Sequence, residues 1–321
     1  MLKNNRGISQ LSIYFSATQV DKIIMEIADT SKLEFEGLGL KHRGNGLWFK
    51  YLFLGDEADP ANNYLFVLAR QQSFYSPVHR HNFDQFRYPT MGNINILPEV
   101  DVHQGELCYH PEGVYYGPQD DGDELKEVLV LQFGGASGQG FVSHAKLAES
   151  QQKLSTQGRF ERGKFIRRRE NIDGTGDEES EPIDAFQALW EDQTGRSLVY
   201  PEGRYDRIIK MQPTAYSWTK VHGDSGVWKK TLGVFSERET RAEVIKIEKD
   251  SWKIPADEAI HLLYLLKGEG YADGDEIKAG WAGRIQPGKA AEIKTDTGLH
   301  ILHFKLPLLA PENNEDGVGN K

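Results

Sequence analysis

Short apolar segments separated by glycine-rich turns recur along most of this chain, and this pattern is the strongest constraint on its fold. In the first half, the strand-like segments cover residues 33–41, 46–54, 64–70 and 127–133. In the last third, they cover residues 208–211, 228–235, 242–249, 261–267, 279–285 and 299–306. Strand-length segments joined by turns, with no helices between them, are typical of antiparallel sandwiches and barrels. The sequence therefore predicts an all-β protein.

Helical periodicity is limited to three segments. Residues 16–30 are predicted to form an amphipathic N-terminal helix, because Val20, Ile23 and Ile27 recur on one helical face. Such a helix would pack against one end of a barrel. Two shorter helices are predicted further along the chain, at about 143–157 and 183–193.

The segment between the two shorter helices differs in composition from the rest of the chain. Within residues 158–182, three consecutive arginines, Arg167–Arg169, precede an acidic run over residues 173–181. Such charge-rich, apolar-poor segments are typical of mobile, solvated connections, and we predict one here. The tail from Pro311 is predicted to be disordered.

The composition excludes several classes of protein. The 321 residues carry a formal net charge of -10, whereas nucleic-acid-binding proteins need a basic surface. Cys108 is the single cysteine, so neither an intrachain disulfide nor a cysteine-based zinc cluster can form. No apolar run approaches the roughly 18 residues of a membrane-spanning helix, and no secretory signal is recognisable. We therefore expect a cytoplasmic protein without nucleic-acid or membrane partners.

One predicted strand contains two histidines separated by one residue. Strand side chains alternate between two faces. The residues predicted to share a face are His79, His81, Phe83, Gln85 and Arg87. Asp84 falls on the opposite face. Polar groups that converge inside a barrel mark a ligand site, so we predict a metal site or an acid–base pocket here.

Two passages resemble the two sequence motifs of the cupin superfamily, the small jelly-roll β-barrels. The first family motif has two histidines one residue apart and then a glutamate. Here His79 and His81 are followed by Gln85 in the glutamate position. The second motif is a Pro-x-Gly turn followed by a histidine. Here the turn is Pro111–Gly113, and Tyr116 occupies the histidine position.

The last third of the chain resembles a second, degenerate cupin copy, with a further Pro-x-Gly turn at Pro287. The resemblance implies a bicupin, with two jelly-roll barrels, a short helical linker and an N-terminal helix. We expect the first barrel and its site within residues 1–142. The linker would cover residues 143–200, and the degenerate barrel with its tail would cover residues 201–321.

The resemblance further implies one divalent metal ion (Fe, Mn, Ni, Cu or Zn) in the first barrel. It would support oxygenation of an organic acid, enol or phenolic compound. The expected ligands are His79, His81 and Gln85. This set lacks the carboxylate of the usual facial triad of non-heme iron. Further candidate ligands are Tyr116, Glu112, His110 and His103.

Two alternatives stay open. A metal-free isomerase, cyclase or lyase would use His79 or His81 as general base and Tyr116 as general acid, as some cupin isomerases and epimerases do. Arg87, on the same face, would then hold a carboxylate or enolate. The other alternative is a barrel that binds a metabolite without catalysis. Every alternative implies a small-molecule ligand, and the resemblance is compatible with a homodimer.

Overall fold

The computed structural model describes residues 25–37, 39, 46–170, 177–223 and 226–310. These residues form mainly antiparallel β-sheet with two α-helices, which confirms the predicted all-β class. No helix in these ranges is long and apolar enough to cross a membrane. The tail from Pro311, predicted to be disordered, lies outside the described residues.

The secondary structure falls into three stretches. In chain order, the first contains β1 (Met25–Asp29), β2 (Glu36–Gly37), β3 (Leu47–Leu54), β4 (Tyr64–Gln71), β5 (Tyr75–Ser76), β6 (Asp84–Met91), β7 (Ile94–Leu97), β8 (Val100–Val102), β9 (Leu107–His110), β10 (Gln119–Asp120) and β11 (Lys126–Phe133). The second contains α1 (His144–Ser155), β12 (Gly158–Glu161), β13 (Lys164–Glu170), β14 (Asp177–Glu179), β15 (Ile183–Asp184) and α2 (Ala185–Thr194). The third contains β16 (Ile209–Met211), β17 (Thr219–Lys220), β18 (Val227–Phe235), β19 (Thr240–Ile247), β20 (Ser251–Ile254), β21 (Ala259–Ala272), β22 (Asp275–Lys278), β23 (Trp281–Ile285), β24 (Ala291–Lys294) and β25 (Leu299–Pro307).

Strand β11 is the central strand of the first barrel's sheet, which has the order β16-β9-β6-β11-β4-β3-β2. Because strand side chains alternate, Val128 and Val130 belong to the core of the first barrel. Leu129 and Leu131 belong to the core shared with the second barrel. Both faces of β11 are buried, which explains its nearly continuous apolar sequence.

The second sheet has the order β1-β23-β21-β25-β19-β18-β17, and it packs against the first through aromatic side chains. The ring centroid of Phe86 lies 5.0 Å from that of Phe304 and 5.4 Å from that of Phe235. Large aromatic side chains dominate the energetics of such cores. The two lobes therefore share one continuous apolar core.

The N-terminal helix prediction is wrong over the residues that the structure describes. Met25–Asp29 forms strand β1, which pairs with β23 of the second sheet. Met25 and Ile27 consequently pack in the core of the second barrel. Pairing with a strand distant in sequence here overrides the local helical periodicity. Residues 16–24, the rest of the predicted helix, lie outside the described residues.

The two barrels exchange strands. Strand β1 precedes the first barrel in sequence but extends the second sheet. Strand β16 follows the linker but pairs with β9 of the first sheet. Of the predicted strand over residues 33–41, only Glu36–Gly37 forms a strand among the residues described there. The other predicted strands listed for both halves of the chain are present.

The described residues of the segment 158–182 mostly form strands, in contrast to the mobile connection that the composition predicts. Strands β12, β13 and β14, together with β15, form a small antiparallel sheet. Arg168 pairs in register with Glu179, and Arg159 forms an ion pair with the same Glu179. Opposite charges on neighbouring strands stabilise a sheet, so the charge runs act as strand partners. The two predicted linker helices are confirmed as α1 and α2.

Candidate active site

A cavity lies in the first barrel and is lined by residues of its sheet and of helices α1 and α2. The space open to the centres of water-sized spheres is about 90 Å³. One such sphere needs roughly 10–15 Å³, so the cavity has room for a small ligand. The aromatic lining residues include Phe49, Phe74, Phe83, Phe141 and Phe186. The polar lining residues include His79, His81, Gln85, Arg87, Tyr116, Gln71, Gln119, Gln132 and His144.

The histidine segment presents alternate side chains to this cavity, as its sequence pattern predicts. All five residues predicted to share a face line it, from His79 to Arg87. The regular strand β6 begins only at Asp84, so the histidines precede it. His79 is instead held by a bridge to Tyr116, with N–H···O distances of 3.0 and 2.9 Å in the two directions.

Tyr116 and His81 form a direct hydrogen bond in this cavity. The Tyr116 hydroxyl lies 2.8 Å from His81 Nε2, and both side chains are buried. The turn that delivers Tyr116 is fixed to the histidine segment, because the Gly113 N–H donates to the His81 carbonyl at 2.8 Å. A tyrosine and a histidine in contact can pass a proton between them.

His79 completes a cluster of three rings around the same point. Its ring centroid lies 4.3 Å from that of Tyr116 and 4.9 Å from that of His81. His79 Nδ1 lies 2.7 Å from the Pro77 carbonyl oxygen, which can only accept a hydrogen bond. The proton of a neutral His79 is therefore on Nδ1, and its Nε2 is a basic nitrogen.

Arg87 places a buried positive charge in the lining without a directly paired carboxylate. It is 6% exposed, and its Nη1 donates to Gln119 Oε1 at 2.9 Å. Over the described part of the chain, no carboxylate forms an ion pair with Arg87, and its Nε has no hydrogen-bond partner. Behind it, Asp121 is paired with Lys126 at 3.4 Å. Arg87, Lys126 and Asp121 form a buried charged cluster, and two cations with one carboxylate give it a net charge of about +1.

Gln85 adds a second polar group that lacks a partner. Its Oε1 accepts from Gln132 Nε2 at 2.8 Å, whereas its Nε2 has no partner among the described residues. Gln85 and Arg87 are two residues apart on β6 and line the same cavity. Two buried N–H groups on neighbouring cavity-lining residues of β6 therefore lack partners in the described ranges.

The lining does not fit a divalent metal ion. Of the expected donor atoms, His81 Nε2 lies 2.8 Å from the Tyr116 hydroxyl and Gln85 Oε1 accepts from Gln132, whereas the contact of His79 Nδ1 with a carbonyl oxygen is one that metal-binding histidines also make. No carboxylate lines the cavity, and Arg87 adds positive charge to it. Across the described ranges, no group of three or more His, Cys, Asp or Glu side chains is placed to hold a metal. Neutral donors beside a guanidinium oppose the binding of a second cation.

Two carboxylates near the histidines lie outside this lining. Glu112 accepts from the Ser137 N–H at 2.9 Å and the Ser137 hydroxyl at 2.6 Å, and it forms an ion pair with Arg204. Asp84 is buried on the opposite face of β6, as predicted. Burial and the neighbouring Glu112 raise the pKa of Asp84 to about 7. Neither carboxylate supplies the missing metal ligand.

The other two candidate metal ligands are also outside the lining. His110 Nε2 lies 3.2 Å from Cys108 Sγ. Burial, together with the nearby charge of Arg87, holds the pKa of His110 well below its usual range. His103 is exposed. The roles assigned from sequence to His79, His81, Gln85, Arg87 and Tyr116 stay predictions, although the structure brings these five side chains to one cavity.

Sequence reasoning missed the glutamines and the linker residues of the site. Gln71, Gln119 and Gln132 come from three different strands, and no local motif marks any of them. His144 and Phe186 come from α1 and α2. The apolar faces of the two helices were a usable signal, because those faces must be covered by another element.

Comparisons with known proteins support the fold. No family model matches this chain, and no curated protein matches it in sequence. A candidate dioxygenase from Nostoc punctiforme has 12% identity and a TM-score of 0.58, over 90% of this chain and 85% of the other. A candidate glyoxylate-induced protein from Pseudomonas aeruginosa has 9% identity and a TM-score of 0.54, over 97% and 94%. The E. coli protein Ylba has 10% identity and a TM-score of 0.53, over 96% of both chains.

These similarities extend over both lobes, and at such low identity they concern the fold alone. They agree with the resemblance carried by the His79–His81 pair and the Pro111–Gly113 turn. They agree as well with the two packed barrels of antiparallel strands. The chain therefore has a two-lobed fold of packed antiparallel β-barrels, which is the fold that the resemblance to the cupin superfamily implies.

Proposed function

We propose that the first barrel binds a small carboxylate at Arg87 and moves a proton on the neighbouring carbon, without a metal ion. This is the acid–base alternative from the sequence, and it replaces metal-dependent oxygenation as our leading hypothesis. The observation that carries it is a buried guanidinium, with no directly paired carboxylate in the described chain, in the same cavity as a His–Tyr hydrogen bond.

The charge of the cavity supports an anionic ligand. An unpaired buried cation is unfavourable, so an anion that enters the cavity stabilises the protein as it binds. The N–H groups of Arg87 Nε and Gln85 Nε2 would donate to the two oxygens of one carboxylate. The aromatic lining would pack against the remainder of the ligand.

The three clustered rings support proton transfer. In the proposed reaction, His79 Nε2 removes a proton from the carbon next to the bound carboxylate or its adjoining carbonyl. The Tyr116 hydroxyl returns a proton to the resulting enolate, and His81 shares the proton through its 2.8 Å contact with that hydroxyl. General acid–base catalysis of this kind contributes roughly 10²–10⁴-fold in rate. The result would be an isomerisation when the proton returns to a different atom, and an elimination or a cyclisation when the substrate carries a leaving group that departs from the enolate.

Solvent deuterium exchange tests the proposal without knowledge of the natural substrate. Protein treated with a chelator would be incubated in D₂O with a panel of 2-oxo and 2-hydroxy acids, and deuterium at carbon would be followed by ¹H NMR. We expect exchange with wild-type protein and a loss of about 10²-fold or more in Tyr116→Phe.

Tyr115→Phe is the matched control, because Tyr115 is the adjacent tyrosine and is 59% exposed. It should retain wild-type exchange. Exchange that stops on chelation and returns with a divalent ion would overturn the metal-free mechanism. Saturable binding of an acid without any exchange would favour the metabolite-binding alternative.

A further inference from the structure

We infer that Asp121 is a positioning residue of the anion site, and this inference rests on the proposed function. Asp121 is 5% exposed and does not line the cavity. It lies behind Arg87 and is connected to it by the side-chain amides of Gln71 and Gln119. Its role would be to orient both amides so that their oxygens face the guanidinium.

The two amides make parallel connections between the carboxylate and the guanidinium. Gln119 donates from Nε2 to Asp121 Oδ2 and accepts at Oε1 from Arg87 Nη1 at 2.9 Å. When the Gln71 amide nitrogen faces Asp121 Oδ2 at 3.0 Å, its oxygen faces Arg87 Nη2 at 3.0 Å; this orientation replaces the 3.2 Å bond that Gln119 Nε2 otherwise donates to Gln71 Oε1. Both Nη atoms of Arg87 are then held, and its Nε is the nitrogen left without a partner.

The direction of these amides follows from the groups at their two ends. The oxygen and the NH₂ of a glutamine side chain have nearly the same shape, so hydrogen bonding decides which way the amide points. A carboxylate only accepts and therefore attracts both NH₂ groups. A guanidinium only donates and therefore attracts both oxygens. Without the charge of Asp121, the guanidinium alone would orient the two amides, and their NH₂ groups would lose the acceptor that holds them.

The Asp121 side chain is itself fixed by hydrogen bonds and an ion pair, so it can orient the two amides. Its Oδ1 accepts from the Asn95 N–H at 2.9 Å, and Lys126 Nζ lies 3.4 Å away. Lys126 also donates to the Asp121 carbonyl. Because Lys126 balances the charge of Asp121, the positive charge of Arg87 stays available to a ligand.

Asp121→Asn separates positioning from simple charge balance, because the two effects have opposite signs. Removing a negative charge makes the cluster more cationic, which by itself would tighten anion binding. Losing the orientation of the amides would weaken it. Pyruvate serves as the probe, with the ¹⁵N–¹H signal of Arg87 Nε as reporter. We expect the Kd for pyruvate to rise tenfold or more in Asp121→Asn. Asp121→Glu, which keeps the charge, should recover part of the affinity.

A measurement without ligand distinguishes failure of this inference from failure of the proposed function. Hydrogen exchange at Arg87 Nε should be at least tenfold faster in Asp121→Asn than in wild-type protein. Equal exchange rates, or tighter pyruvate binding in the variant, would overturn the positioning role. If pyruvate does not shift the wild-type signal, the proposed anion site fails and the exchange comparison still decides the role of Asp121. If Asp121→Asn does not fold, Gln119→Leu removes one of the two amides and should give an intermediate acceleration.

Discussion

A buried histidine pair in the second barrel predicts a defined loss of stability on acidification. His261 on β21 and His303 on β25 are each 4% exposed, and Nδ1 of the first lies 2.9 Å from Nε2 of the second. His261 Nε2 lies 3.0 Å from Asp257 Oδ1, which as a carboxylate oxygen can only accept. His261 is therefore protonated on Nε2 and accepts at Nδ1 from the Nε2–H of His303.

The other end of the pair faces a second carboxylate. His303 Nδ1 lies 3.6 Å from Glu243 Oε2. Burial raises the pKa of the Glu243 carboxyl, but the nearby His303 and the hydrogen bond from the Thr231 hydroxyl outweigh it and lower that pKa to about 2. The remaining charged neighbours are Lys305 beside Asp257, and Lys229 and Arg241 beside Glu243. A second proton on His261 would add charge inside this cluster and break the bond between the rings.

Burial and the neighbouring His303 lower the pKa of His261 from 6.5 to about 4. Between these values the unfolded chain binds a proton that the folded chain does not, so the free energy of unfolding decreases as the pH falls. The contribution of His261 to the free energy of unfolding is complete above pH 6.5 and is lost by about pH 4. At 1.36 kcal/mol per pKa unit, the difference between 6.5 and about 4 corresponds to about 3 kcal/mol.

Urea unfolding at several pH values between about 7 and about 4.5 measures this slope. Trp252 is a suitable fluorescent reporter, because its ring centroid lies 5.3 Å from that of His303. We expect the slope of His261→Gln to differ from that of the wild type by the contribution of this histidine, because the shifted pKa values of Asp84 and His110 affect both proteins alike. His222→Gln, which changes an exposed histidine of the same lobe, should keep the wild-type slope. A wild-type slope in His261→Gln would refute the proton assignment.

Three further changes test the fold and the anion site. Gly113→Ala should destabilise the protein by about 2 kcal/mol or more in thermal unfolding, because Gly113 has a φ of 80° and an added Cβ would lie 2.2 Å from the Pro201 carbonyl oxygen. Gly163 has a φ of 75° but open space around it, so Gly163→Ala should destabilise the protein by less than Gly113→Ala. Phe86→Ala should remove about 3–5 kcal/mol in one cooperative urea transition, and two separate transitions would contradict the shared core. Arg87→Met should abolish pyruvate binding measured by calorimetry while the free energy of unfolding changes by less than about 2 kcal/mol, because relief of the buried charge offsets the lost hydrogen bonds. A large loss of stability with binding retained would contradict this account of Arg87.

Local patterns in the sequence were sufficient to predict most strands and to identify side chains that the structure brings to one cavity. The period-two alternation from His79 to Arg87 brings those side chains to one cavity even though the first part of the segment is not a regular strand. The Pro111–Gly113 turn likewise delivers Tyr116 to His81. These predictions succeed because both depend on backbone geometry within one short segment.

The features that the sequence did not predict depend on partners distant along the chain. Strand β1 has helical periodicity but pairs with β23, more than two hundred and fifty residues later. Gln132 reaches Gln85 because β11 and β6 pair with these residues opposite each other. Gln71 likewise lies opposite Lys126 in the pairing of β4 with β11. Such registers decide which polar groups meet, and no single segment contains that information.

The same distinction explains why the resemblance predicts where the site lies better than what it does. The paired histidines and the Pro-x-Gly turn fix a place in the barrel, and they do so whatever the other side chains are. The chemistry depends on the groups around them. Here a glutamine and a tyrosine occupy the positions of two family ligands, and each replacement removes a donor that a divalent ion would use. Arg87 brings a cation to the same lining. In the function that we propose, these changes favour an anionic ligand and proton transfer over a bound metal ion.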